Sequence, residues 1–149
     1  MATLFPEIDG AIRFFVDAEP IAQPRQRHAY VKSLGRTINY TPKDHPIHVF
    51  KDMCRIRARA AYQGKPLEMP LRVFLLFRLK RPGNLPKSKP GRIWAPGRPD
   101  NDNYVKAVFD ALNQIIWKDD SQIVDLHSRK LYASTDEEFG VDIMVEELT

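Results

Sequence analysis

The chain has 149 residues, of which 43% are hydrophobic and 28% charged, with a formal net charge of +4 and a pI of about 9.3. These values predict one soluble globular domain over residues 1–149, and the basic balance suits a polyanionic partner. The single cysteine, Cys54, excludes an intrachain disulfide and a four-cysteine zinc site.

Two further segments bear on location. Met1–Gly10 lacks the charged start and apolar core of a signal peptide, and the longest apolar stretch, Val73–Phe77, is far too short to cross a bilayer. We therefore expect a cytoplasmic protein that neither spans a membrane nor follows the signal-peptide route.

The first part of the chain predicts strands separated by basic loops. Ala11–Val16 is nearly continuously hydrophobic, which favours a strand buried on both faces. Pro20–His28 is a proline-punctuated loop, for which solvation is the simplest interpretation. Ala29–Val31 and Thr37–Tyr40 flank a turn with a basic tip and predict a small hairpin.

A helix is predicted next, starting near Pro46 and ending before Gly64. Its basic residues recur at i,i+4 spacing and form one stripe, which is either a solvated face or a track for phosphates: Lys51, Arg55 and Arg59. Its predicted apolar face comprises Val49, Phe50, Met53, Ile56, Ala60 and Ala61.

The middle of the chain predicts a strand and a long loop. Leu71–Leu79 is the clearest strand by composition, whereas Arg81–Pro99 is rich in proline, glycine and lysine and predicts no stable element. This loop is either a flexible solubilising segment or a cover for nucleic acid, with Trp94 available to stack on an unpaired base. Its basic residues are Lys87, Lys89, Arg92 and Arg98.

An unusual cluster of acids follows, within residues 98–122. A helix is predicted from residue 102 or 103, and it places Asp102, Lys106 and Asp110 along one stripe. Ile115–Trp117 predicts a short strand and Ile123–Tyr132 a second one, so that a hairpin brings Asp120 towards Asp100 and Asp102. Phe139–Val145 predicts a final strand.

The run D-x-D-N-x-x-K-A-x-x-D-A-L, followed by an aromatic residue and D-D-S-Q-I-V, resembles the RusA family of Holliday junction resolvases, which are small phage and prophage endodeoxyribonucleases. The resemblance is close over residues 98–124 and loose elsewhere. Asn101 departs from the family, in which an apolar residue is frequent, but it need not face a metal. The resemblance implies an α/β (α+β) domain with a mixed sheet and two principal helices.

The resemblance also implies roles for individual residues. The catalytic residues correspond to Asp100, Asp102, Lys106 and Asp120. The same three carboxylates correspond to the ligands of Mg²⁺, or alternatively Mn²⁺, with Asp119 as a further candidate. The positions implied to bind DNA are Arg25, Arg27, Lys87, Lys89, Arg92 and Arg98, with Lys51, Arg55 and Arg59 as further candidates.

The predicted function is Mg²⁺-dependent resolution of four-way junctions and related branched DNA by paired phosphodiester hydrolysis, in recombination and repair. Two equivalent cuts call for two active sites, so we expect a homodimer. Two alternatives remain open: a structure-specific DNA-binding protein that does not cut, and a metal-dependent phosphohydrolase of small nucleotides. The simplest alternative for the site is a purely structural one. The acids would then serve as helix cap and turn residues or as ion-pair partners of Lys106.

Overall fold

The computed structural model of the protein describes residues 5–149. The first four residues of Met1–Gly10 therefore lie outside the described residues. The helices and strands follow in this order: β1 Ile12–Val16, β2 Arg27–Val31, β3 Arg36–Tyr40, α1 Ile47–Ala61, β4 Leu71–Leu79, β5 Ile93–Trp94, α2 Asn101–Leu112, β6 Ile123–Tyr132 and β7 Gly140–Glu147.

The main sheet has five strands in the order β1-β7-β4-β6-β5. β4 pairs in parallel with β6 and in antiparallel with β7, so the sheet is mixed. The predicted fold class is thereby confirmed, and β4 has the bounds that its composition predicts. β4 is central, and its side chains Leu71, Val73, Leu75 and Phe77 are buried beneath the helices.

Helices α1 and α2 cover one face of this sheet and bury their apolar stripes against it. The buried residues of α1 are Ile47, Phe50, Cys54 and Ala58. They follow i, i+3, i+7 and i+11, so they form one line along the helix. The predicted apolar face is right for Phe50, which is buried, and for Met53, which packs against the core. It is wrong for Val49 and Ile56, which lie roughly 180° away from that line at about 100° per residue and are exposed, and for the exposed Ala60 and Ala61.

The opposite face of the sheet carries arginine ion pairs beside a small apolar cluster. Arg72 donates to Asp125 at 2.6 Å and to Glu146 at 3.0 Å. His127 stacks on Phe74 with ring centroids 4.6 Å apart, and its Nε2 lies 2.9 Å from Asp125 Oδ1. His127 is therefore engaged in packing on the sheet face that the helices leave uncovered.

Glu137 joins the long loop to this face, because its carboxylate accepts from Arg92 at 2.9 and 3.0 Å and lies 3.6 Å from Arg78. Burial acts to raise the pKa of Glu137, but the hydrogen bonds from Arg92 and the Ser134 amide and the two arginine charges outweigh it, so the pKa lies below its ordinary value of 4.5. The charged form of Glu137 is thus favoured in the folded protein.

This lowered pKa predicts acid sensitivity. The contribution of Glu137 to the free energy of unfolding is fully present above pH 4.5 and is lost as the pH falls through the lower, folded value, because the unfolded chain binds the proton first. Glu137→Gln should reduce the free energy of unfolding at pH 7 by about 1 to 3 kcal/mol and flatten its decline below pH 4.5. Urea unfolding at several pH values measures the free energy of unfolding at pH 7 and its decline below pH 4.5. The same decline in the variant as in the wild type would contradict the prediction.

The segment after α2 differs from the prediction, because Ile115–Trp117 forms a turn rather than a strand. Gln114 has a positive φ of 67°, and the buried Trp117 donates from Nε1 to Asn113 at 2.7 Å. The backbone of this turn bonds instead to Leu67. Since β6 then pairs in parallel with β4, the predicted acidic hairpin does not form.

β6 has an open edge along most of its length. β5 is a two-residue strand within the loop for which no element was predicted, and it pairs only with Leu131 and Tyr132. In residues 5–149 no strand pairs with the same edge from Ile123 to Arg129. Towards its end, the Ser128 carbonyl accepts from the Asn101 side chain and the Lys130 carbonyl from the Ala95 amide. Val124 and Leu126, on this edge strand, are large exposed hydrophobic residues. None of the helices described here has the length and apolar character needed to span a membrane.

Candidate active site

Asp100 and Asp102 lie at the start of α2. Asp100 is extended, with φ −68° and ψ 149°, and occupies the N-cap position without a side-chain capping bond. Asp102 follows in the first turn, and both side chains are exposed. Within residues 5–149 neither carboxylate has a hydrogen-bond or ion-pair partner. Because the simple capping role is not used, both acids remain available for a cation.

Long-range contacts fix this end of the helix on the sheet. Asn101 Nδ2 donates to the Ser128 carbonyl at 3.0 Å, and Ser128 Oγ donates back to Asn101 Oδ1 at 2.8 Å. Lys130 Nζ donates to the carbonyls of Gly97 and, at 2.7 Å, Pro99. Asn101 therefore faces the sheet, in agreement with the expectation that it need not face a metal. The roles of Ser128 and Lys130 were missed, because their partners lie 27 to 33 residues away.

Lys106 is exposed one helical turn after Asp102. In the described part of the chain it forms no ion pair, whereas Asp110, its other i,i+4 neighbour, lies 3.7 Å from Lys51 Nζ. The structural alternative for Lys106, an ion pair with Asp102 or Asp110, is therefore not formed. An ammonium without a carboxylate partner is well suited to a phosphate.

Lys106 lines a groove of about 580 Å³ between α2 and the loop that precedes β2. The Gln23 amide donates to the Asn103 carbonyl at 2.9 Å, which ties the loop to the helix. The same loop brings Arg25 into the groove. The side-chain oxygen of Gln23, a residue that lines the groove, is buried with no hydrogen-bond partner among residues 5–149.

Asp119 and Asp120 lie away from this end of the helix. Asp119 caps the 3₁₀ turn Asp120–Gln122, because its side chain accepts from the Ser121 amide at 3.3 Å. Asp120 lies three residues before Ile123, the first residue of β6. Ser128 lies five residues after Ile123, which is about 17 Å along the strand. In residues 5–149 no group of three His, Cys, Asp or Glu side chains could hold a metal ion. One copy therefore does not bring Asp120 to Asp100 and Asp102.

The other basic candidates fall into two groups. Arg92, Lys51 and Arg55 are half-buried and form ion pairs with Glu137, Asp110 and Asp52. The exposed group, which has no ion-pair partner in the described part of the chain, consists of Arg25, Arg27, Arg59, Lys87, Lys89 and Arg98.

The donor set at α2 can be tested against Mg²⁺, which prefers oxygen ligands and takes one or two carboxylates while keeping several waters. Asp100 and Asp102 are exposed, uncommitted carboxylates separated by one residue. These two residues fit the ion. Asp119 fits less well, because its carboxylate is already used by the 3₁₀ turn.

Comparison with known proteins identifies a matching family model and a similar curated protein. The family model described as Endodeoxyribonuclease RusA matches residues 17–146, which is most of the chain. A curated protein of Bacillus subtilis (strain 168), Uncharacterized protein YqaN, is 48% identical over 63 residues. That match spans 42% of this chain and 42% of the length of YqaN.

Proposed function

The chain belongs to the RusA endodeoxyribonuclease family, and from this membership we propose that it is a Mg²⁺-dependent endonuclease that resolves Holliday junctions and related branched DNA in recombination and repair. The observation that carries the proposal is the pair of uncommitted carboxylates, Asp100 and Asp102, one turn before the unpaired Lys106. Mn²⁺ is the alternative ion. Chromosomal or phage DNA in the cytoplasm is the proposed substrate.

The residues divide the chemistry between them. Asp100 and Asp102 hold the ion, which when bound activates a water and neutralises charge on the phosphate. Lys106 places its ammonium against the scissile phosphate and stabilises the negative charge that grows on its oxygens. Arg25 in the same groove positions a backbone phosphate, while the exposed Lys87, Lys89 and Arg98 contact the DNA on the loop side.

The direct test is cleavage of an end-labelled synthetic four-way junction beside linear duplex of the same sequence, with Mg²⁺ and with EDTA. We expect symmetrical Mg²⁺-dependent nicks in the junction and intact duplex. Tight junction binding without nicks would reject the nuclease in favour of a binding protein. Failure to bind DNA at all, with hydrolysis of small phosphorylated nucleotides, would reject the DNA substrate.

We further propose that the enzyme is a homodimer that pairs through the open edge of β6. Val124 and Leu126 are 66% and 42% exposed on that strand, and an unpaired edge with apolar side chains is a natural surface for a second strand. A second copy offers the same edge, and antiparallel pairing about a two-fold axis satisfies both edges at once.

This arrangement also accounts for the position of Asp120. If the two-fold axis passes by Asp125, the start of β6 in one copy lies beside the end of β6 in the other. The 3₁₀ turn that holds Asp120 then comes near the part of the second copy that contains Lys130. Lys130 binds the carbonyls of Gly97 and Pro99, directly before Asp100. Each site would then combine Asp100, Asp102 and Lys106 of one copy with Asp120 of the other.

Val124→Arg tests the interface. Burying an unpaired guanidinium at the two-fold axis should raise the dimer dissociation constant more than tenfold, because an unpaired buried charge costs several kcal/mol. Analytical ultracentrifugation over a concentration series measures this constant. Val49→Arg is the matched control, since Val49 is 67% exposed on α1. Equal behaviour of the two variants would reject the β6 interface.

A further inference from the structure

The β2–β3 hairpin is a part of the fold that the proposed active site does not use. Its strands pair from Arg27 with Tyr40 to Val31 with Arg36, and they form a two-stranded sheet separate from the main one. In the described part of the chain no other strand extends it. A two-stranded hairpin on its own is only marginally stable in water, so a partner that packs on it would stabilise it.

The charge of the arm indicates the kind of partner. Residues 20–43 contain no Asp or Glu. This segment contains five cations, of which four lie at or beside the hairpin: Arg25, Arg27, Lys32 and Arg36. All four side chains are exposed, and none has an ion-pair partner among residues 5–149. The hairpin and the loop before it therefore carry positive charge with no neighbouring acid in the sequence, which suits a polyanion.

The tip of the arm combines this charge with an apolar side chain. Leu34 is 55% exposed in the turn, which is closed by bonds from the Leu34 amide to the Val31 carbonyl at 3.1 Å and from the Gly35 amide to the Lys32 carbonyl at 3.2 Å. Gly35 has a φ of +62°, a conformation that glycine adopts without strain. Lys32 and Arg36 flank Leu34, so the tip offers an apolar group between two cations.

The base of the arm adjoins the groove of Lys106, because Arg25, Gln26 and His28 line that groove. Five residues of strand extend about 17 Å, which corresponds to roughly five base-pair steps of duplex DNA. A DNA strand held at Lys106 can therefore meet the tip several nucleotides away.

We propose that the β2–β3 hairpin is a DNA-binding arm, in which Lys32 and Arg36 neutralise backbone phosphates and Leu34 inserts against the bases at the branch point. This inference rests on the proposed function, because it takes branched DNA as the substrate. Apolar side chains that enter a base step unstack it, and they act most readily where the bases are already open. The arm thereby contributes to the preference for a junction over duplex.

The phosphate contacts are tested by junction binding in EDTA over a range of salt concentrations. Lys32→Ala and Arg36→Ala should each weaken binding and lower the slope of log affinity against log salt by about 1. Lys65→Ala, which removes another exposed cation after α1, should leave the slope unchanged. Equal slopes for wild type and the three variants would overturn the proposal that the hairpin binds DNA. A change in dimerisation without a change in slope would also overturn it, because the hairpin would then contact the second copy of the chain.

The tip contact is tested with 2-aminopurine placed at the branch point, again in EDTA. Wild-type protein should increase the fluorescence by unstacking the base, and Leu34→Ala should reduce that increase at least twofold. Ile56→Ala, which shortens a side chain that is 52% exposed on α1, is the matched control. An unchanged increase with Leu34→Ala would overturn the insertion while junction cleavage still supports the nuclease. Wild-type protein that binds no DNA would overturn both.

Discussion

Asp102→Asn should abolish junction cleavage and leave junction binding intact. The change removes the charge of one carboxylate in the first turn of α2 and leaves every basic contact in place. Loss of an outer partner of a metal ligand already costs about 10- to 100-fold in affinity or activity, so loss of the ligand itself should cost at least about 100-fold in the rate of nicking.

Two measurements on the same samples separate this prediction from a folding defect. Single-turnover nicking gives the rate, and a gel-shift assay in EDTA gives the affinity for the junction. The exposed Asp9 supplies the control, because Asp9→Asn removes the same charge outside the site. Wild-type nicking by Asp102→Asn would defeat the assignment of Asp102, and lost binding would place Asp102 in the DNA contact instead.

Lys106→Ala should lower the single-turnover rate by about 10²- to 10³-fold, the loss typical of removing one group that stabilises transition-state charge. The melting temperature should stay unchanged. The physical reason is that Lys106 is exposed and, within residues 5–149, forms no ion pair that folding would lose.

Single-turnover assays at saturating enzyme separate a defect in the chemical step from a defect in DNA binding in this variant. The defect should persist when all the junction is bound, and Lys106→Arg should recover part of the rate because it restores the positive charge. Lys65→Ala controls for the general loss of charge. A melting temperature that falls in step with the activity would instead indicate a structural role for Lys106.

Local patterns in the sequence predict most of the elements. The continuous apolar run of β4 gives its bounds, and the turn chemistry around Gly35 gives the β2–β3 hairpin. The start of α2 is right to within one or two residues. These features depend on neighbours in the chain, which is why they are readable without tertiary structure.

The failures share a tertiary cause. Ile115–Trp117 has the composition of a strand, but its backbone bonds go to Leu67 and its indole is buried, so packing overrides propensity. Likewise, the apolar residues of α1 allow two faces, and contact with the sheet selects the one containing Cys54. Burial raises the pKa of the Cys54 thiol to about 12, so it is a packing residue rather than a nucleophile.

The candidate site is likewise predictable only in part. The acids and Lys106 stand out by spacing, but the distance between Asp120 and Asp100 depends on the parallel pairing of β4 with β6, which no local pattern encodes. The same holds for Arg92, whose ion pair with Glu137 joins residues 45 positions apart. Its assignment as a DNA contact stays a prediction, and that pairing makes it a weaker candidate than Arg98.

Mixing two inactive variants tests most directly whether two copies build each cutting site. Asp102→Asn and Asp120→Asn, each tagged differently, are unfolded and refolded together, and the heterodimer is purified through both tags. In a shared arrangement one of its two sites keeps Asp100, Asp102, Lys106 and Asp120 intact. We predict that the heterodimer regains Mg²⁺-dependent nicking of the junction, at one strand per binding event. A heterodimer as inactive as its two parents would contradict the shared site.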